Sequence, residues 1–316
     1  MAITEKEAVA SLKLLACVAK ADGTFAPEER AVFDESLKPV KLPAGTTAAS
    51  LLDGTWDVAA LTAEITSQEA RDAAFSSCFA MAYADRVYHP AEQALLDKVE
   101  KAWALPKEKK GLLGRIFQET KDTVSLSSIK PIADPANRKK QIDEDVLKYS
   151  ILSGVLGVNP IPIASIATDL AVVGIQAKMF RDIGQYYGRE TSKDSVKQIL
   201  GGLGVGTGAR IAVNNLMKFI PGVGSVVAAS TNFASTWALG KVANQYWESG
   251  GKADMKMLKE LFKKSQAEGK KEYDAHKADV DARSAKNKAT LDKLAADYKA
   301  AKITQAEYEK AVAELK

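Results

Sequence analysis

Cysteine and histidine are scarce in this chain, with two of each among 316 residues. Zinc fingers, iron–sulfur clusters and histidine-rich metal sites need more ligands than Cys17, Cys78, His89 and His276 provide. The two cysteines lie far apart within apolar helical patterns, which is typical of buried free thiols and not of a disulfide framework. Reduced thiols of this kind predict a cytoplasmic location.

Patterns typical of β-strands are lacking as well. No stretch combines sustained apolar and polar alternation with hairpin turns, and glycine and proline cluster between segments of helical period. The start, MAITEKEAVASLKLL, has acidic residues where a secretory signal needs basic ones. With 46% hydrophobic and 27% charged residues, the composition is that of a globular protein. We therefore expect an all-α cytoplasmic protein.

Charge is distributed unevenly along the chain. Residues 1–105 carry 10 basic and 16 acidic side chains, whereas the remainder carries 34 basic and 24 acidic ones. An acidic front and a basic rear indicate modules that face different partners. Together with the breaks in helical period, this predicts five segments. They are an acidic helical domain at 1–105, a basic linker at 106–145, a glycine-rich apolar helical domain at 146–250, a charged helical tether at 251–290 and a helical hairpin at 291–316.

The acidic domain contains a repeated turn. ADGTFAPEE at 21–29 and ADRVYHPAE at 84–92 each follow an apolar helix, with Asp, an aromatic residue, Pro and Glu at the same offsets. The repeat predicts two related helical halves packed as one bundle. Such packing brings together four carboxylates, those of Asp22, Glu29, Asp85 and Glu92. A ligand set made only of oxygen atoms suits Ca²⁺, Mg²⁺ or Mn²⁺.

The same carboxylates also have a purely local interpretation. Asp22 precedes a glycine and suits an Asx turn, and the proline of each turn suits the first position of a helix. Glu29 and Glu92 then occupy the third position, where a carboxylate satisfies free backbone amides and the helix dipole. The sequence leaves both interpretations open.

The basic linker contains an amphipathic turn, KEKKGLLGRIFQET, which places apolar residues beside basic ones. A turn of this kind can lie on anionic lipid. The candidate membrane-surface residues are Lys109, Lys110, Leu112, Leu113, Arg115, Ile116 and Phe117. The alternative is a short helix docked on a neighbouring domain.

Two uncharged runs, 149–168 and 219–240, stand out in the glycine-rich domain. Each is long enough to cross a bilayer, which takes about 20 residues. Prolines interrupt the first run. The following helix, expected at 162–187, carries its apolar residues in a one-sided stripe, and the residues off that stripe are Asp169, Gln176, Lys178 and Asp182. These details favour a helical bundle, since a polar side chain in the bilayer centre is costly.

The segment GGLGVGTGAR at 201–210 lacks both the ending and the glycine spacing of a phosphate-binding loop, and basic residues are interspersed with acidic ones. We therefore expect neither nucleotide nor nucleic-acid binding. Residues 251–290 are typical of a solvated helix or a partly disordered tether. In the final hairpin, Thr304 and Glu307 form the pattern of a capping box that starts the second helix. Because so short a unit buries little surface, it must dock on something.

The first 105 residues resemble the TerB-like (tellurite-resistance) helical domain through the turns ADGTFAPEE and ADRVYHPAE. The resemblance implies an all-helical bundle of two repeats, acidic metal ligands and a membrane-linked stress response. On the matching positions the ligands are Asp22, Glu29, Asp85 and Glu92, while Arg86 replaces the glycine of the first turn.

Two further resemblances concern the rest of the chain. Residues 150–250 resemble the YcjF-type domain of unknown function that often follows small Era-like GTPases, through NPIPIASIATDLAVVGIQAKMFRDIGQYYG and KFIPGVGSVVAASTNFASTWALGKVANQYW. This implies a membrane-associated helical domain with no known reaction. The tail resembles the short C-terminal (SHOCT-like) motif through ITQAE at 303–307, although Ala301-Lys302 replaces the usual glycine. That resemblance implies oligomerisation or partner docking.

These features predict a non-enzymatic stress-response or membrane-associated adaptor that binds a divalent cation through its acidic domain. Its expected partners are a membrane surface at the inner face of the cytoplasmic membrane, a helical protein, or further copies of the chain through the C-terminal hairpin. The alternative is an integral membrane component that inserts 149–168 and 219–240 as a helical pair. A more remote alternative is a metal-dependent hydrolase, which needs the four carboxylates around shared metal positions in an open cleft.

Overall fold

The structure is a computed structural model that describes residues 3–21, 23, 30, 33–34, 37, 45–83, 90–105, 113, 129–158, 164–189, 193–205, 211, 213 and 224–315. These residues form helices and connecting turns without a strand, so the all-α prediction is confirmed. The helices are α1 (Glu5–Ala19), α2 (Ala48–Asp53), α3 (Val58–Glu64), α4 (Gln68–Tyr83), α5 (Pro90–Ala102), α6 (Pro135–Val158), α7 (Ala164–Tyr186), α8 (Lys193–Gly202), α9 (Gly224–Glu248), α10 (Met255–Lys299) and α11 (Gln305–Ala313).

The chain divides into two compact units. The first comprises residues 1–118, 160–169 and 206–227, and the second comprises 119–159, 170–205 and 228–316. The middle third of the chain thus contributes to both units. The five predicted segments follow sequence composition, so their boundaries stay predictions.

Helix α1 is the central helix of the first unit, because it contacts each of α2, α3, α4 and α5. Its sequence permits this position, since small residues alternate with leucines and few charges follow the first turn. Leu12, Leu14, Leu15 and Val18 are at most 1% exposed. A helix that is apolar around most of its circumference is stable only when neighbours surround it.

The helices predicted on either side of the two acidic turns are present. Helix α1 precedes the first turn, and Phe33 and Leu37, in the segment that follows it, are helical and buried. Helices α4 and α5 flank the second turn and pack on each other. Helical residues are therefore present before and after each turn, while most residues of the turns themselves lie outside the described part of the chain.

Helices α7 and α9 form the core of the second unit, and the burial of α7 differs from the expected one-sided stripe. Of the polar residues predicted off the stripe, Asp169, Gln176 and Asp182 are at most 5% exposed and Lys178 is half-buried. The one-sided arrangement predicted for this helix is therefore wrong. The physical reason is that neighbouring helices supply hydrogen-bond partners, Tyr149 of α6 for Asp182 Oδ2 and Thr236 of α9 for Gln176. The second carboxylate oxygen of Asp182 has no hydrogen-bond partner among the described residues.

The charged tether and the first helix of the hairpin form one continuous helix, α10, which is 45 residues long and therefore about 67 Å from end to end. Of the two predicted alternatives for 251–290, the structure has the helix. One stripe of α10 is buried, including Leu258, Phe262, Tyr273 and Val280. This stripe packs on α6, which explains how so charged a segment forms an ordered helix.

The C-terminal hairpin has the predicted form. Helix α11 starts with a complete capping box between Thr304 and Glu307, and the rings of Tyr298 and Tyr308 lie 5.5 Å apart between the two helices. Tyr308 and Val312 are at most 1% exposed. The hairpin thus buries its apolar residues within its own chain, as the small size of the unit requires.

Candidate functional site

The first acidic turn follows α1, and the residue at the end of α1 is held in place by α2. The Lys20 ammonium donates hydrogen bonds to the carbonyl oxygens of Leu52, at 2.6 Å, and Gly54, at 2.7 Å. These carbonyls lie at the C-terminal end of α2, where free carbonyl groups favour a cation. One side of the turn is therefore anchored.

The other side of the same turn is anchored on α2 as well. The Arg30 guanidinium contacts both oxygens of the Asp53 carboxylate, with Nη1–Oδ1 and Nη2–Oδ2 distances of 2.8 and 3.2 Å. The hydrogen bond from Arg30 lowers the pKa of Asp53. Both cations that flank the acidic turn, Lys20 and Arg30, are thus engaged at the end of α2.

The second acidic turn joins α4 to α5. Pro90 is the first residue of α5 and Glu92 the third, as the capping interpretation predicts, and Glu92 is half-buried. The other three candidate ligands, Asp22, Glu29 and Asp85, lie outside the described residues. Among the residues that are described, no cluster of three metal-ligating side chains is found. The four-carboxylate site therefore stays a prediction.

A carboxylate that the sequence analysis did not single out joins the start of α1 to the connection between α3 and α4. Glu7 is 4% exposed and accepts hydrogen bonds from Thr4, to complete a capping box, and from the backbone amides of Thr66 and Ser67. Burial opposes its ionisation, but the hydrogen bonds from Ser67 and Thr4 outweigh burial and hold the pKa of Glu7 far below its usual range. The pattern Thr-x-x-Glu signals the capping box, whereas no local spacing reveals Thr66 and Ser67.

The candidate membrane-surface residues fall almost entirely outside the described part of the chain. Leu113 is the exception, and it is helical and fully buried. The remaining six, Lys109, Lys110, Leu112, Arg115, Ile116 and Phe117, are not described. A buried Leu113 agrees with the docked-helix alternative for this position, while the membrane-surface prediction as a whole is untested.

A buried polar cluster joins α6 to α7 in the second unit. The Tyr149 hydroxyl donates to Asp182 Oδ2 at 2.9 Å, and the Lys178 ammonium contacts the same oxygen and lies 3.0 Å from the Tyr149 hydroxyl. One helical turn away along α7, the Tyr186 hydroxyl donates to Asp145 Oδ2 at 2.6 Å. Burial, followed by the adjacent carboxylate, raises the pKa of both tyrosines. Both hydroxyls therefore remain protonated donors at physiological pH.

The polar cluster continues to α9. The Gln176 amide donates to the Thr236 hydroxyl at 2.9 Å, and Thr236 in turn donates to the Ser153 hydroxyl of α6 at 2.9 Å. Three helices are thus connected by hydrogen bonds between side chains. The arrangement serves helix packing, because a buried hydrogen-bonded network specifies which helix faces meet.

An open groove of about 600 Å³ lies beside α10 in the second unit. It is lined by Lys148, Asp279, Ala282, Arg283, Lys286 and Leu315. Arg283 is paired with Asp279 through a 2.9 Å Nε–Oδ1 contact, and the charges of this pair cancel. Lys148 and Lys286 then give the rim a moderate positive charge. Its lining contains none of the predicted site residues.

Within the residues that the structure describes, we find no helix with both the length and the apolar character needed to span a bilayer. Residues 149–158 end α6, and α7 starts only at Ala164, so the first uncharged run is divided between two helices. Much of the second run lies in α9, where Phe233, Leu239 and Val242 are fully buried in the second unit.

Comparison with known proteins identifies the N-terminal part of the chain. Residues 6–113, about a third of the chain, match the family described as tellurite resistance protein TerB. Neither the curated proteins nor the solved structures contain a match. The matched segment includes both acidic turns and helices α1 to α5, while the resemblances of the middle domain and the tail stay predictions. The chain therefore carries a tellurite-resistance TerB domain at residues 6–113.

Proposed function

We propose that this protein is a non-enzymatic adaptor with a role related to tellurite resistance, in which the TerB domain binds a divalent cation and the second unit contacts a partner. The observation that carries the proposal is the TerB match over 6–113, since that segment contains the repeated acidic turn.

The surroundings of the first turn support cation binding. Four carboxylates brought together repel one another, and a divalent cation relieves that repulsion. The basic residues on either side, Lys20 and Arg30, are already engaged with α2. Both basic residues thus have described partners outside the acidic turn, which supports a cation as the partner of its carboxylates.

Glu7 and Tyr149, whose pKa values are shifted, have their hydrogen-bond partners inside the protein, which supports an adaptor in preference to an enzyme. Glu7 is surrounded by backbone amides, and Tyr149 and Asp182 contact each other inside the helix packing. A catalytic acid or base must instead reach a substrate in an accessible cleft. These groups have the geometry of packing elements.

Isothermal titration calorimetry of the full-length protein with Ca²⁺, Mg²⁺ and Mn²⁺ tests the proposal. We expect saturable binding of at least one cation, and at least a roughly tenfold loss of affinity in Asp22→Asn/Asp85→Asn, because each turn loses a charged ligand. The matched control is Glu5→Gln/Glu64→Gln, which removes the same charge from helices of the same domain. No binding of any of the three cations, or equal binding by the Asp22→Asn/Asp85→Asn protein, contradicts the proposal.

A further inference from the structure

The charge of α10 is concentrated in its first part. Residues 256–271 contain six lysines and two glutamates, whereas residues 272–299 contain six basic and six acidic side chains. The first part therefore has a net charge of +4, and the second has none. Because both belong to one continuous helix, the difference is a property of the sequence and not of separate elements.

The lysines of the first part share the solvent side of the helix. All six are exposed, and the residues at 258, 262, 265, 269 and 273 between them are buried. They are Lys256, Lys259, Lys263, Lys264, Lys270 and Lys271, which we call the lysine face of α10. Sixteen residues of α-helix extend over about 24 Å. Burial of the opposite stripe holds the charges of this segment on one side.

The two parts also differ in ion pairing. In the second part, basic residues pair with carboxylates one turn away, as in Lys277–Asp281 and Lys288–Asp292. Across the described residues, none of the six lysines of the lysine face forms an ion pair. Ion pairs with other described residues therefore do not offset the net charge of +4 that remains after Glu260 and Glu268 are counted.

We propose that the lysine face of α10 is a docking surface for an anionic lipid bilayer. This inference deepens the proposed adaptor role, on which it rests, by naming the partner surface. Clusters of four to eight basic residues on one face of a helix attract anionic lipids. The face contains lysine and no arginine, which favours a diffuse negative surface over bidentate recognition of single phosphate groups.

The structure also determines the kind of binding. The apolar stripe of α10 is buried within the protein. Among the described residues of the lysine face, the exposed large hydrophobic side chain is Met257, which is 42% exposed. Lipid binding is therefore dominated by charge, with little insertion. Salt screens such interactions, since the Debye length shortens from about 10 Å at 0.1 M to about 3 Å at 1 M.

Vesicle flotation with the full-length protein tests the inference. At about 0.1 M salt we expect binding to phosphatidylcholine vesicles that contain phosphatidylglycerol, no binding to pure phosphatidylcholine vesicles, and release at about 1 M salt. Replacement of three lysines in Lys259→Gln/Lys263→Gln/Lys270→Gln weakens binding roughly 100-fold. Glutamine preserves helix propensity, and circular dichroism verifies that the variant is folded.

Two comparison variants make the result specific. Lys286→Gln/Lys288→Gln/Lys293→Gln removes the same charge from the neutral part of α10 and should retain most of the binding. Lys109→Gln/Lys110→Gln/Arg115→Gln tests the basic linker. If this variant loses binding while Lys259→Gln/Lys263→Gln/Lys270→Gln binds as the wild type does, the inference is overturned. Equal losses in both α10 variants, or binding of RNA without binding of vesicles, also overturn it. Cation calorimetry measures no lipid binding, and vesicle flotation measures no cation binding. A failure of the proposed cation site is therefore distinguished from a failure of the proposed lipid surface.

Discussion

The backbone amide of Ser67 donates a 2.6 Å hydrogen bond to the Glu7 carboxylate, which lies 60 residues earlier in the chain. This contact fixes the start of α1 against the connection between α3 and α4. The same carboxylate completes the capping box of α1 with Thr4. One buried side chain thus satisfies backbone groups at the start of two helices of the TerB domain.

Replacement of Glu7 should destabilise the TerB domain. In Glu7→Gln, one of the two carboxylate oxygens becomes an amide donor that faces other donors, and the remaining hydrogen bonds lose their charge. We expect a loss of about 2–3 kcal/mol in the free energy of unfolding, measured by urea denaturation of the full-length protein. The exposed Glu5, in the same helical turn, is the control, and Glu5→Gln should change stability by less than about 0.5 kcal/mol. Equal effects of the two variants would contradict the role of Glu7.

The lowered pKa of Glu7 predicts sensitivity to acid. Because its pKa is lower in the folded state than in the unfolded state, its contribution is fully present above the unfolded value, near 4.3. That contribution is lost as the pH falls below this value and through the folded one, since the unfolded chain then binds the extra proton. The stability difference between the wild type and Glu7→Gln should therefore shrink between pH 6 and pH 3. A difference that stays constant over this range would show that the charge of Glu7 is not involved.

The contact between Tyr149 and Asp182 should contribute more than an ordinary tyrosine hydrogen bond. Tyr149→Phe removes a donor to a buried carboxylate, and we expect a loss of about 1.5–3 kcal/mol. The matched control is Tyr187→Phe, because the Tyr187 hydroxyl donates to the neutral Asn244 side chain at 2.9 Å, which predicts a loss of about 0.5–1.5 kcal/mol. Thermal denaturation measures both. A double-mutant cycle with Asp182→Asn isolates the pairwise coupling, and a coupling near zero would refute the direct contribution.

Close approach of α9 and α10 depends on the absence of a side chain at Gly269. A Cβ atom there would lie 2.8 Å from the Ala234 Cα and 3.0 Å from the Ala234 carbonyl oxygen, so the two backbones must separate. Gly269→Ala should therefore cost about 1–3 kcal/mol of stability. The control is Gly201→Ala in α8, where a Cβ would meet no atom within 4 Å and the higher helix propensity of alanine adds about 0.5–1 kcal/mol. Opposite signs of the two effects in urea denaturation are the expected result.

The end of α10 contains an alanine in a conformation that favours glycine. Ala301 has a φ of 56°, and the amide of Lys302 donates to the Asp297 carbonyl oxygen, so the helix ends in a Schellman motif. Because the left-handed conformation costs about 1–2 kcal/mol for a residue with a Cβ, Ala301→Gly should stabilise the protein by about 0.5–1 kcal/mol after the greater freedom of glycine in the unfolded chain is subtracted. Gly188→Ala, at the corresponding position after α7 with a φ of 68°, should have the opposite effect on the melting temperature.

The sequence predicted those parts of the fold that depend on neighbouring residues. Pro90 starts α5, and Thr304 and Glu307 cap α11, because capping uses side chains and amides within one helical turn. The candidate metal site is a different case. Only Glu92 of its four carboxylates is described, so the proposal depends on the repeated turn and on the TerB match, and the cation titration tests it.

By itself, the sequence determined the helical class, the approximate ends of α1, α4, α5 and α7, and the C-terminal hairpin, since each follows from residues a few positions apart. Only the tertiary structure decided that Glu7 accepts a hydrogen bond from Ser67 and that Gln176 and Asp182 are buried. It also decided that the lysines of one segment lie on the exposed side of a single 45-residue helix. Those outcomes depend on which helices become neighbours. A polar residue at a given helical position is exposed or buried according to whether an adjacent helix supplies its hydrogen-bond partner, and no local pattern contains that information.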